Sequence, residues 1–323
     1  MKTPLLRVPP AVLLPLLTLI SLSAGSLWAD PGLKAVEQKD GILVLEDDTK
    51  VLFYQLQHKS LDGKHRRANY VHPLYDLDGN VLTEDFPEDH LHHRGIFWAW
   101  TQVYVGEKTI GDSWLTKDFS WNVIDTAIDR TSTEFVTIRA QVEWKSPDWT
   151  DAQGQQKPIA REVVIIRVHK ADDDRRDIDF QIMIRAVEEG VRIGGVDNDK
   201  GYGGFSTRVR LPENTQFLGR PGALKPQRTQ IDAGPWVDVS ASYGNIPTVS
   251  GLTILCPPSL PGYPQGWLLR QKGSMQNPAY PGRHPVPLST KKPTILRYRL
   301  VVHRGRPQPE RIESWLNAYT GKK

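Results

Sequence analysis

Apolar and polar residues alternate along most of the chain beyond residue 40, in runs of strand length. ILVLE (42–46) and VLFYQLQ (51–57) flank Asp47, Asp48, Thr49 and Lys50, which signal a hairpin. Four longer runs follow: FSWNVIDTAID (119–129), EFVTIRAQVEW (134–144), IAREVVIIRVH (159–169) and DIDFQIMIRAV (177–187). Their period of two predicts strands with one face on a core. The charged run DDDRRD (172–177) between two of them reads as a solvated hairpin tip. Further strands are predicted at FSTRVRL (205–211), VDVSA (237–241), LTILC (252–256), WLLR (267–270) and TILRYRLVVH (294–303). Helical spacing is convincing only in PERIESWLNAY (309–319). There Ile312, Trp315, Leu316 and Tyr319 recur at i, i+3, i+4 and i+7, with Pro309 near the start. A dozen or more locally connected strands predict an all-β, antiparallel architecture.

The first 29 residues depart from this pattern. Lys2 and Arg7 precede the apolar run AVLLPLLTLI (11–20), and small residues follow in SLSAGS. That order predicts a signal peptide over 1–29, with cleavage after Ser26 or Ala29 and Ala29 preferred. The remaining 30–323 are expected to be a single β-sandwich domain, periplasmic or secreted. No later run reaches the ~18 apolar residues that a spanning helix needs, so no stable membrane span is expected after cleavage.

Charge changes the picture little. There are 41 Lys and Arg against 37 Asp and Glu, a formal +4. This is too small to indicate nucleic acid. Cys256 is the sole cysteine, so no internal disulfide forms, and its apolar flank reads as core. Ten tryptophans in an exported chain raise the expectation of carbohydrate contact, although most should be core.

The candidate chemistry concentrates in DHLHHRGIFWAW (89–100). If residues 90–104 are extended, His90, His92, Arg94, Trp98 and Trp100 share one face and His93 takes the other, unless Gly95 marks a bulge. Histidines and arginine running into aromatics suit a polyol, with hydroxyls gripped and C–H faces stacked. His92 or His93 is the candidate acid or base, Arg94 the electrophilic partner, and Asp89 a ring-orienting group. His90, Trp98, Trp100, Arg67, Asn69, His72, Arg208 and Asp238 are the candidate substrate contacts. His-x-His on a strand can also supply two metal ligands. A third would come from His72, Glu162, His169, His284 or His303, so a His-ligated metalloenzyme stays open, with no ligand set assigned and the cofactor unknown.

RANYVHPLYDLDGNVLTEDFPEDHLHHRGIFWAW (67–100) resembles the signature of bacterial, usually exported proteins called "methane oxygenase PmoA-like". Its core fits His90, His92, His93, Arg94 and Gly95. KGYGGFSTR (200–208), WVD (236–238) and LRYRLVVHRG (296–305) resemble later blocks, and the resemblance runs from about residue 33 onward. The oxygenase activity that this name implies does not suit the chain, because a methane-oxidising membrane subunit needs several spanning helices. More loosely, the strand pattern and the polar blocks are similar to galactose-mutarotase-like supersandwich proteins. That resemblance implies pyranose binding in an open β cleft, with histidine and a carboxylate as acid and base.

These readings converge on an exported carbohydrate-active protein on an antiparallel β-supersandwich with one C-terminal helix. An enzyme performing His-assisted proton transfer (an epimerase, lyase or hydrolase) leads. A non-catalytic carbohydrate-binding protein is the alternative, with a small molecule or oligosaccharide as partner in either case.

Overall fold

The computed structural model describes residues 32–130, 132–244 and 248–322. The predicted signal peptide lies outside these residues. Two antiparallel sheets carry the architecture. The larger has nine strands, in the spatial order Ser120–Asp129, Phe135–Lys145, Ala160–His169, Arg175–Ala186, Thr294–Arg304, Ser250–Leu255, Trp236–Ala241, Gln216–Gly219 and Gly222–Ala223. The other has six: Leu33–Gln38, Gly41–Glu46, Thr49–Gln55, Tyr70–Leu74, Ile96–Ala99 and Gly204–Thr207. A four-stranded sheet and two small hairpins complete the described strands.

Alternation decides which face is inside. In Phe135–Lys145 the buried inward residues are Val136, Ile138, Ala140, Val142 and Trp144. Register aligns Ile138 with Ile166, Ile166 with Phe180, and Phe180 with Tyr298, so apolar rows cross the large sheet. The six-stranded sheet adds Val44, Leu52, Tyr54, Val71, Ile96 and Trp98 to the same core. Across the interface Phe205 stacks on Tyr298 at 4.3 Å and meets Phe180 edge-on. Sheet thus packs on sheet, and the expected all-β sandwich is what the chain forms.

The helix spans Pro309–Thr320, with Pro at its first turn and Gly321 closing it at φ 70°. Ile312, Trp315 and Leu316 pack against Trp236, Leu255 and Val301 on the outer face of the large sheet. The first hairpin is tighter than expected. Only Asp47 and Asp48 form its loop, both at positive φ (46° and 65°), and Thr49 already pairs with Glu46. Two left-handed residues match the twist of the strands they join. Two predicted strands are shorter than expected. Of 205–211, continuous pairing covers Gly204–Thr207, with Val209 bridging Thr83 alone; of 267–270, only Trp267–Leu268 pairs. Cys256 is buried, and burial pushes its thiol upward, as a core residue requires.

Candidate active site

The chain through 86–95 turns instead of extending. His90 N–H bonds the Pro87 carbonyl (3.0 Å), and His93 N–H bonds the His90 carbonyl (2.9 Å). The strand begins only at Ile96. Gly95, at φ 44°, passes so close to the Val71 carbonyl that a Cβ there would collide with it. The proposed common face of His90, His92, Arg94, Trp98 and Trp100 is therefore corrected: period two needs an unbroken strand, and this one starts after the histidines. The turns instead gather all three rings. His90 and His93 stack at 4.7 Å with 4° between planes, and His92 stands edge-on to His93 at 4.6 Å.

Arg208 organises this turn from the end of a neighbouring strand. It is 3% exposed, and its guanidinium donates to Glu84 (2.7 Å) and to both Asp89 oxygens (2.6 and 3.1 Å). The same Asp89 carboxylate meets Nδ1 of His90 at 2.8 Å. Nη1 of Arg208 also reaches Nδ1 of His93 at 3.4 Å. Guanidinium can only donate, so Nδ1 of His93 accepts and its proton sits on Nε2. Gly273, at φ 51°, lies against Asp89 from a separate loop, and a Cβ there would strike the carboxylate.

A pocket of about 120 Å³ opens beside the rings. His90, His92, His93, Trp114, Tyr202, Leu268 and Met275 line it. Lys200, Arg270 and Ser274 supply its other polar groups. Behind the wall, Phe97 and Ala99 pack with Tyr70 and Trp114. The odd-numbered residues of the aromatic strand thus support the site, while Trp98 faces the sandwich core.

Burial holds His92 down at about 3, helped by the positive fields of His90, Arg67, His65 and Arg208. Burial, with the fields of His92, His90, Arg208 and Arg67, pushes His93 lower still. Both rings are neutral at pH 7. Burial would raise Asp89, but hydrogen bonds from Arg208 and His90 outweigh it and hold the carboxyl below its usual range. His90 is the accessible ring: its side chain is 41% exposed, and Nε2 has no protein partner among the described residues. An ionised carboxylate on one nitrogen and a free second nitrogen equip His90 for general acid or base work. Of the candidates read from sequence, His93 is buried and His92 half-buried, and both lack this arrangement among the described residues.

Other predicted contacts lie away from the pocket. Arg94 is fully buried. It bonds Asp85 and the Tyr70 hydroxyl, donates to the His65 carbonyl at 2.9 Å, and stacks 3.6 Å over Phe86. It has no face for a substrate oxyanion. Trp98 and Trp100 are buried as well and offer no stacking surface; their indoles donate to Glu162 (2.6 Å) and to the Tyr280 carbonyl (2.9 Å). Asn69 donates to Glu162 (2.9 Å) and accepts from Tyr54, while Arg67 bonds the Ser113 carbonyl and lies over Trp121. His72 bonds Thr83 at 3.0 Å, and burial lowers it to about 4. Asp238 sits on the outer face of the large sheet with His303 (2.7 Å) and Thr253 (2.7 Å). Each of these is held by local partners that sequence spacing does not reveal. Among the described residues, no group of three or more His, Cys, Asp or Glu is placed to hold a metal ion.

Lys200, Tyr202, Arg270, Ser274 and Met275 were not singled out from sequence. Lys200 and Tyr202 do fall inside KGYGGFSTR, whose glycines read as turn formers. Arg270 ends the predicted strand WLLR, beyond the pairing that stops at Leu268, and Ser274 follows in a loop with no distinguishing pattern.

No curated protein sequence matches the chain significantly. The structure is similar to that of a protein described as a "putative mutarotase (YeaD)" from Salmonella typhimurium. Identity is 10%, the match covers 85% of this chain and 94% of that one, and the TM-score is 0.30. None of these comparisons supports the PmoA-like label suggested by the motif resemblance. A family model described as "family of unknown function" matches residues 42–317, most of the chain, which therefore belongs to that family, DUF6807.

Proposed function

We propose that the protein is an exported carbohydrate-active enzyme in which His90, oriented by Asp89, moves a proton on a sugar or sugar derivative. The observation that carries this reading is the chain of contacts Arg208–Asp89–His90 at the edge of a pocket. Asp89 fixes the orientation of the ring, and Arg208 fixes Asp89. His92 and His93, neutral and beside the pocket, serve as hydrogen-bonding groups for hydroxyls. Trp114 and Tyr202, whose rings lie 4.7 Å apart, add aromatic wall. Aromatic surface with a few convergent polar groups is the composition of a site for a polar ring. The basic, apolar and small-residue order of the first 29 residues supports export. Epimerisation, elimination and hydrolysis all contain a proton transfer of this kind.

The test incubates the protein with a panel of monosaccharides, uronates and short oligosaccharides in D2O. Proton NMR follows deuterium incorporation, anomeric exchange and new products. At least one sugar is expected to exchange or turn over with wild type and not with His90→Ala. A panel with no protein-dependent change, from protein shown to be folded, contradicts the reading.

A further inference from the structure

We propose that the pocket beside His90 selects an acidic sugar, holding its carboxylate between Arg270 and Lys200. The proposal deepens the functional reading above and rests on it for the sugar, but not for the charge. Two of the cations near the pocket are already neutralised. Arg208 is: Glu84 and Asp89 both bind it. Arg94 is paired with Asp85. Arg270 and Lys200 differ. Both line the pocket, and the side chain of neither makes an ion pair or hydrogen bond among the described residues. The main chain of Arg270 is nonetheless fixed, because its N–H and carbonyl both bond the Gln276 amide (3.0 Å each). Main-chain contact also ties Lys200, whose carbonyl accepts from Gln230 at 2.8 Å.

The acids that could quench Lys200 are occupied elsewhere. Asp199 pairs with Arg228, and Asp197 pairs with Arg283. No Asp or Glu side chain lines the pocket. Asp89, the acid nearest the rings, is itself spent on Arg208 and His90, so the side-chain charges left unpaired at the pocket, Arg270 and Lys200, are both positive. A concave site with one sign of charge and apolar walls concentrates ligands of the opposite sign. Guanidinium matches a planar carboxylate through two parallel N–H donors, and an ammonium supplies a point charge beside it. The pocket is small beside the several hundred Å³ of a drug-sized site, so it takes one sugar unit or the end of a longer chain.

The experiment compares ligands that differ only at C6. Sodium D-galacturonate, D-galactose and D-galactose 6-sulfate are titrated by calorimetry against wild type, Arg270→Gln, Lys200→Gln and His90→Ala. Galacturonate is expected to bind wild type at least about tenfold more tightly than galactose, as one charge-assisted contact provides. Arg270→Gln and Lys200→Gln are each expected to lose most of that preference while keeping the wild-type Tm. His90→Ala should keep the preference, whatever its overall affinity, because the carboxylate contact is assigned to Arg270 and Lys200. Galactose binding as tightly as galacturonate overturns the proposal, as does an unchanged preference in both cation variants. Galactose 6-sulfate binding more tightly than galacturonate also overturns it, assigning the cations to a tetrahedral anion. Proton exchange on neutral sugars without this preference would sink the inference and leave the functional reading standing. Galacturonate binding with no exchange on any sugar would do the reverse.

Discussion

Asp89 and His90 are adjacent in the chain, yet their side chains meet: a carboxylate oxygen lies 2.8 Å from Nδ1 of the ring. The turn after Pro87 makes this possible, because on a strand the two side chains would point to opposite faces. Arg208 holds the same carboxylate from a different strand. The site therefore depends on a salt bridge between segments distant in sequence.

Replacing Asp89 with Asn keeps the shape and removes the charge. Proton transfer by His90 is expected to fall by about tenfold or more, as the ring loses the carboxylate that orients it. Deuterium exchange read by NMR checks this, with calorimetric affinity for the same sugar expected to change far less.

Arg208→Met leaves Glu84 and Asp89 facing each other without a cation. Both carboxylates are 36% exposed, so water offsets part of the loss, and about 1–3 kcal/mol of destabilisation is expected. Urea unfolding at constant salt measures it, and the His90 ring should become mobile by NMR relaxation.

Gly273→Ala tests the loop that presses on Asp89. The added methyl meets the carboxylate, and alanine is strained at φ 51°. A loss of about 1 kcal/mol or more is expected, with reduced proton exchange at an unchanged sugar affinity. Gly79, at φ 83° with open space around its Cβ position, provides the control: Gly79→Ala should cost stability but leave exchange intact.

His93 makes stability depend on pH. Its folded value is depressed by burial, so the folded state binds fewer protons than the unfolded one below the ordinary histidine value. The stability it contributes is present above about pH 6.5 and is lost as the pH falls. His92, depressed to about 3, and His72, to about 4, act in the same direction. His93→Gln is expected to flatten the fall in stability between pH 6.5 and 5 by up to about 1.4 kcal/mol per pH unit. Denaturant titrations across that range give the slopes.

Trp98→Phe separates core from site. It removes an indole donor from buried Glu162, which keeps Asn69 and the Trp144 indole (2.7 Å) as partners. About 1–3 kcal/mol of destabilisation is expected, with sugar affinity unchanged. A large loss of affinity with normal stability would return Trp98 to the binding surface.

The strands of the large sheet were legible because their alternation is uninterrupted: Val136 to Trp144 reads as one buried face and proves to be one. The helix was legible from Ile312, Trp315 and Leu316 for the same reason. The site was legible only as a stretch of chain. Its inner geometry was lost where the period fails, between Asp85 and Gly95, since a turn leaves no parity to extrapolate. Trp98 and Trp100 look like a sugar platform in isolation, and only the pairing of distant strands and sheets shows that Trp98 is covered by Phe205, beside it on the same sheet, and by Phe180 on the facing one. Arg270 and Lys200 reach the pocket from loops whose approach depends on tertiary contacts. Glu162 could be read from the sequence as a surface charge or a distant metal ligand, whereas burial and three donors make it a core group.

If His90 carries the proton, chemical rescue should restore what its removal costs. Deuterium exchange into an active sugar is measured for wild type, His90→Ala and His92→Ala, without and with added imidazole. His90→Ala is expected to lose about a hundredfold or more, to recover part of it with imidazole, and to regain it more strongly as the pH rises towards 7. His92→Ala should stay within about tenfold of wild type and show no rescue. Full exchange by His90→Ala, or rescue confined to His92→Ala, would contradict the account.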